Sequence, residues 1–215
     1  MQNVRNERID QDMSLAILAS VQLETQWRLP SAILASLQML FWGYIPAVIL
    51  GVPIAILIGK NRLSYHIFRR LFQIPGTIPS IVLLPLALLA FKQTQIAIIF
   101  ISFISALLQI IIHTSMGVRQ FQQNSNSLGV SYIFTGLRLG IRVAWFAVIA
   151  AEMLAGAKGI GFSIWEAYKL NKVSDLIVAI LYLSITSFLL DQLLELGGYV
   201  ASQLFPEEQK EDSDD

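Results

Sequence analysis

The stretch that decides the fold is Tyr132–Tyr168, YIFTGLRLGIRVAWFAVIAAEMLAGAKGIGFSIWEAY. An apolar run begins beside Arg138 and Arg142, is interrupted by one carboxylate, Glu152, and ends in a glycine cluster, Gly156, Gly159 and Gly161. An amphipathic segment with Trp165 and Tyr168 follows. A soluble domain has no use for this combination. It reads as a membrane helix, a tight exit from the bilayer, and a short helix lying at the interface.

The remainder of the chain agrees. Of its 215 residues 55% are hydrophobic and only 14% charged, which sets it among polytopic membrane proteins rather than soluble domains. No acidic residue occurs between Glu24 and Glu152, and uncharged runs extend over Leu29–Gly59, Leu71–Phe91 and Gln93–Val118. A bilayer crossing takes about 20 residues, so each run is long enough. The predicted fold is all-α and polytopic, with about five spans near 33–58, 71–91, 96–112, 133–154 and 176–196. Residues 31–200 form the membrane domain. Residues 1–30 are expected to be a polar and interfacial segment, because the apolar piece Met13–Leu23 is too short to cross. Residues 201–215 are expected to be a solvated, disordered tail, since Glu207–Asp215 carries six acids and one lysine.

Proline and charge refine the spans. Pro46 and Pro53 lie within the first, which predicts a helix packed against neighbours that restore lost bonding. Pro75, Pro79 and Pro85 predict an irregular start to the second, with a helix after Pro79. Lys60, Arg62, Arg69 and Arg70 form a basic loop between the two, which argues for the cytoplasmic side. Residues 160–175 suit a short external interfacial helix.

The polar residues have limited chemistry to offer. Cysteine is absent, which excludes disulfides, thiolate metal sites and cysteine nucleophiles. His66 and His113 lack neighbouring carboxylates, so no metal site is expected. The GxxGxG spacing follows a membrane helix rather than a strand and is not a dinucleotide fingerprint. Its glycines let the chain leave the bilayer and turn. No nucleophile, acid and base constellation is visible, so the chain is not expected to be an enzyme, and no catalytic residue is assigned. Glu152 is either a functional carboxylate at depth or an outer-interface residue hydrogen-bonded to the following loop. The pairs Arg138/Arg142 and Asp191/Glu195 read as interfacial anchors. Gln109, Trp145 and Glu152 are the candidate pathway residues, because polar groups inside spans must face protein or water.

Specific motifs add a family. YIFTGLR, AW, AAEMLAG, GIG and IWEAY occur in order, preceded by SAILASLQ, GVPIAILIG, IPSIVLLPLALLAF and HTSMGVR. Over about residues 29–200 the chain resembles the permease subunits of ABC importers in the nitrate, bicarbonate, sulfonate and taurine group, above all the cyanobacterial nitrate and bicarbonate branch. The resemblance implies a permease fold in the cell inner membrane and import of a small anion. It also implies a permease dimer in lipid, a cytoplasmic ATP-binding subunit that holds the ATP, and an external substrate-binding protein. No cofactor in this chain and no nucleic-acid partner are implied.

The same family carries an EAA signature and a glycine in the loop that docks on the ATPase. Here Gln123, Asn124 and Ser125 stand at the EAA positions and Gly129 at the glycine, in a shortened loop. That segment is poor in helix formers and makes a weak lever. A second outcome is therefore open: a permease descendant serving as a non-transporting structural or assembly subunit of another membrane complex.

Overall fold

The computed structural model describes the backbone of residues 2–124 and 130–204, and side chains within 28–68, 71, 78–120, 132–201 and 203. The described residues form helices α1 (Gln2–Lys60), α2 (Arg62–Thr77), α3 (Leu84–Phe91), α4 (Thr94–Asn124), α5 (Val130–Ala155), α6 (Ile160–Lys169) and α7 (Val173–Leu204). Ser125, Gly129 and the acidic end 205–215 lie outside the described residues. Four stretches are long and apolar enough to cross a membrane: Arg28–Lys60, Thr94–Gln120, Tyr132–Ala155 and Val173–Ala201.

The segment expected as the second span differs from the other four. Its apolar helical part, Ser80–Phe91, covers only about 18 Å at 1.5 Å per residue, against a core of about 30 Å. Proline is the cause. Pro79 drives the residue before it out of the helical region, and Ile78 sits at φ −85° and ψ 121°. A single 3-10 turn, Ser80–Leu83, follows, and α3 restarts with Pro85 in its first turn, where the missing N–H costs nothing. The basic stretch expected as a loop is also helical. Asn61 caps α2, its side chain accepting from the N–H groups of Leu63 and Ser64 at 3.0 and 3.4 Å.

The bundle is centred on α4, which packs between α1 and α5. Lipid-facing and helix-facing surfaces are equally oily, so helices associate through close approach and polar ties rather than through hydrophobic burial. The sequence supplies the close approach as a stripe of small residues at every fourth position of α1: Gly43, Ala47, Gly51, Ala55 and Gly59. A Cβ on Gly43 would come within 2.6 Å of the Ile99 carbonyl and the Ser102 Cβ on α4. On α5, Gly136, Gly140 and Ala144 repeat the spacing against the other side of α4. Polar ties join α1 to both α4 and α5. Ser102 Oγ donates to the Leu40 carbonyl at 3.2 Å, and Tyr44 Oη donates to the Leu137 carbonyl at 3.0 Å. By contrast α7 is peripheral, and Phe188, Leu189, Leu193 and Leu196 all point outward.

This packing makes Gly43 intolerant of any side chain. Gly43→Val should cost about 2–3 kcal/mol, lowering the thermal midpoint in detergent by roughly 5–10 °C. Leu189→Ala on the outward face of α7 should leave that midpoint near the parent value.

Candidate functional site: a charged ladder between α5 and α7

Arg138 and Arg142 lie one turn apart on α5, and Asp191 and Glu195 lie one turn apart on α7. The two pairs meet. Arg138 grips Asp191 through two bonds, Nη2 to Oδ2 at 2.7 Å and Nε to Oδ1 at 3.2 Å. Its Nη2 also reaches Glu195 Oε2 at 3.0 Å. Arg142 donates from Nε to Asp191 Oδ1 at 2.8 Å, and its Nη2 lies 2.7 Å from the same oxygen. Asp191 is thus the shared centre, with its side chain only 18% exposed, while those of Arg142 and Glu195 are each 53% exposed.

One turn further along, Trp145 Nε1 donates to Ser187 Oγ at 2.8 Å, and Ser187 in turn donates to the Leu183 carbonyl at 2.7 Å. Arg142, Trp145, Phe146, Ser187 and Asp191 line an open groove of about 290 Å³. Arg142 is ten residues, about 15 Å, beyond Tyr132, where the apolar stretch Tyr132–Ala155 begins, which puts it near the middle of that stretch. A single charge at such depth costs about 3 kcal/mol on insertion scales, so two cations matched by two anions is the arrangement that lipid permits. Half-exposed charges there must face water or another protein chain.

The glycine cluster builds a second polar centre. Gly156, at φ +70°, ends α5 in a left-handed cap whose N–H donates to the Glu152 carbonyl at 3.0 Å. The chain then turns back, and α6 starts against the Glu152 side chain. Glu152 is fully buried, and its Oε2 accepts from the Gly161 N–H at 2.8 Å. Its Oε1 has no hydrogen-bond partner among the described residues. The preceding N–H, from Ile160, donates to Ser36 Oγ on α1 at 2.9 Å. Two free donors of the α6 first turn are therefore capped from two neighbouring helices, and an acceptor oxygen of the Glu152 carboxyl group sits at the positive helix end. Glycine is required for proximity here. A Cβ on Gly159 would overlap the Glu152 carboxyl, and one on Gly161 would strike the Ile149 carbonyl oxygen.

The residues singled out from sequence do not converge. Trp145 lies in the groove, whereas Glu152 caps α6 and Gln109 is half-buried on α4, with its Oε1 3.1 Å from His113 Nε2. Gln123 and Asn124 end α4, with side chains outside the described set, and Ser125 and Gly129 are not described. The pairing of the two charged doublets was not expected. Its signal was available: two doublets of opposite sign, each with a four-residue spacing, each toward the expected cytoplasmic end of a span.

No protein-family model matches the chain. Individual proteins do match. The nitrate import permease protein NrtB of Leptolyngbya laminosa is 40% identical over 197 residues, covering 83% of this chain and 70% of that protein. The chain belongs to the family of nitrate and bicarbonate import permeases. The Synechocystis NrtB is 36% identical over the same shares. The bicarbonate transport system permease protein CmpB of Synechococcus elongatus is 40% identical over 179 residues, 74% of this chain and 64% of that one. Members of this family are inner-membrane permeases, and four stretches of this chain are long and apolar enough to cross a membrane.

The ladder predicts unequal costs. Asp191→Asn removes the negative charge that two arginines share and should destabilise the detergent-solubilised chain by about 2 kcal/mol. Glu195→Gln, at the exposed rim, should cost under about 1 kcal/mol. Thermal unfolding of the two variants side by side checks this order.

Proposed function

We propose that this chain is one membrane subunit of an ATP-driven importer of a small oxyanion of the nitrate or bicarbonate class. It pairs with a second permease in the lipid bilayer. A cytoplasmic subunit binds and hydrolyses ATP, and docks where α4 ends, at Gln123–Gly129. An external binding protein delivers the anion to the opposite face.

The observation that supports a pathway here is the half-exposed charged ladder within the apolar stretches of the α5–α7 face. Such a face is stable only against water or a partner chain. A groove between two permeases supplies both. In this reading Arg142 and Trp145 line the route. Arg142 offers guanidinium donors that match the planar geometry of a small oxyanion, and its tie to Asp191 keeps the site neutral when empty. Glu152 and Gln109 act on the route from a distance: Glu152 by fixing α6 at the outer end, Gln109 from α4. The relatives are named as import permeases, which favours this role over that of a non-transporting assembly subunit.

Uptake of labelled nitrate and bicarbonate by cells expressing the complete system tests the proposal. Arg142→Gln should lower uptake of the carried anion at least tenfold while the amount of permease in the membrane is unchanged, a loss of about 1.4 kcal/mol or more. Undiminished uptake would remove the α5–α7 face from the pathway.

A further inference from the structure

We infer that α2 is an anionic-lipid-binding helix, seated in the headgroup layer beside the end of α1, and that it prefers phosphatidylglycerol-type lipids to zwitterionic ones. The inference is independent of which anion the protein carries. It rests on how three kinds of residue divide around one helix.

At 3.6 residues per turn, Tyr65, Phe68 and Phe72 share one stripe of α2, Leu63, Ile67 and Leu71 a second, and Arg62, His66, Arg69 and Arg70 a third. Tyr65 and Phe68 of the first stripe face the bundle. Tyr65 is buried, packed in a small core with Ile58 at the end of α1 and Ile111 on α4. This anchor holds α2 at the level where the first membrane helix ends in Lys60. The second stripe faces away from the protein, with Leu63, Ile67 and Leu71 exposed by 70%, 55% and 61%. The third stripe borders the second. Arg62 and His66 are exposed on it, and neither Lys60 nor Arg62 forms an ion pair among the described residues.

The sequence places no acid near these cations. From Glu24 to Glu152 the chain contains no acid at all, so Lys60, Arg62, Arg69 and Arg70 form a basic block with no carboxylate in its own part of the chain. Oily side chains next to cations, on a helix held at the membrane boundary, is the pattern of an interfacial helix. The leucines enter the acyl boundary and the arginines meet lipid phosphates. A soluble acidic partner would satisfy the cations but leave the outward Leu63, Ile67 and Leu71 stripe in water. Anionic lipid satisfies both stripes at once.

The test uses the full-length chain in mild detergent, offered phosphatidylglycerol or phosphatidylcholine at matched concentration, with retained lipids counted by native mass spectrometry. The parent protein should retain phosphatidylglycerol in preference. The variant R62Q/R69Q/R70Q should lose that preference about tenfold or more. K169Q/K172Q, which removes two cations near α6, should keep it. Ile67→Ser, which leaves every charge in place, should weaken retention of both lipids. Circular dichroism and size-exclusion profiles matching the parent would show each variant folded. Equal retention of the two lipids by the parent, or an equal loss in both charge variants, would overturn the inference. So would a triple variant that keeps its lipid but loses a co-purifying protein, since α2 would then be a protein-docking element.

Discussion

Close approach between helices in a medium as oily as their own side chains is the constraint on which this structure depends. With no gain from burying leucine against leucine, contact must come from short distances and a few hydrogen bonds. The chain meets this at α4, where the Gly43 to Gly59 stripe of α1 packs on one side and Gly136, Gly140 and Ala144 of α5 on the other. Everything else is placed by that three-helix core. The position of α5 sets Glu152 under α6, and sets Arg138 and Arg142 where α7 can be captured by its carboxylates.

The same dry surroundings explain the polar features. A lone charge within an apolar stretch is costly, so the arginines and carboxylates appear as a balanced set sharing Asp191. A helix start buried against neighbours needs acceptors for its free N–H groups, and Glu152 and Ser36 supply them from different helices. These two clusters differ in kind. The Glu152 cap is sealed and ties α6 to α5 and α1, whereas the α5–α7 ladder is half open and presents Arg142 and Glu195 outward. A sealed cluster fits a structural tie, and an open one fits a route for ions.

Much of the fold was legible in the sequence, for identifiable reasons. Two long uncharged runs and two apolar runs carrying a few charges marked the four crossings, since length and hydropathy leave little choice in a bilayer. The glycines at 156, 159 and 161 marked the turn, and the aromatic and charged mixture after it marked α6. The half-length segment Ser80–Phe91 was harder, because hydropathy counts residues and is blind to the break that Pro79 imposes on Ile78. The helix α2 was hidden because four cations in eleven residues resemble a loop, while the Asn61 cap and the Tyr65 anchor are local and tertiary facts. The every-fourth-residue stripe of α1 was fully present in the sequence and needed only to be read as packing. The ion pairs were not fixed by either helix alone, because which doublet meets which depends on how α5 and α7 dock.

The account centres on a permease that works with an ATPase although the link between α4 and α5 is short, residues 125–129. The most direct measurement is affinity purification of the tagged chain in mild detergent from its native membrane, with co-purifying chains identified by mass and stoichiometry. The account predicts an ATP-binding subunit in equal number to the permease chains. Recovery of some other membrane complex, with no ATP-binding subunit in it, would contradict the account and leave a permease fold put to structural use.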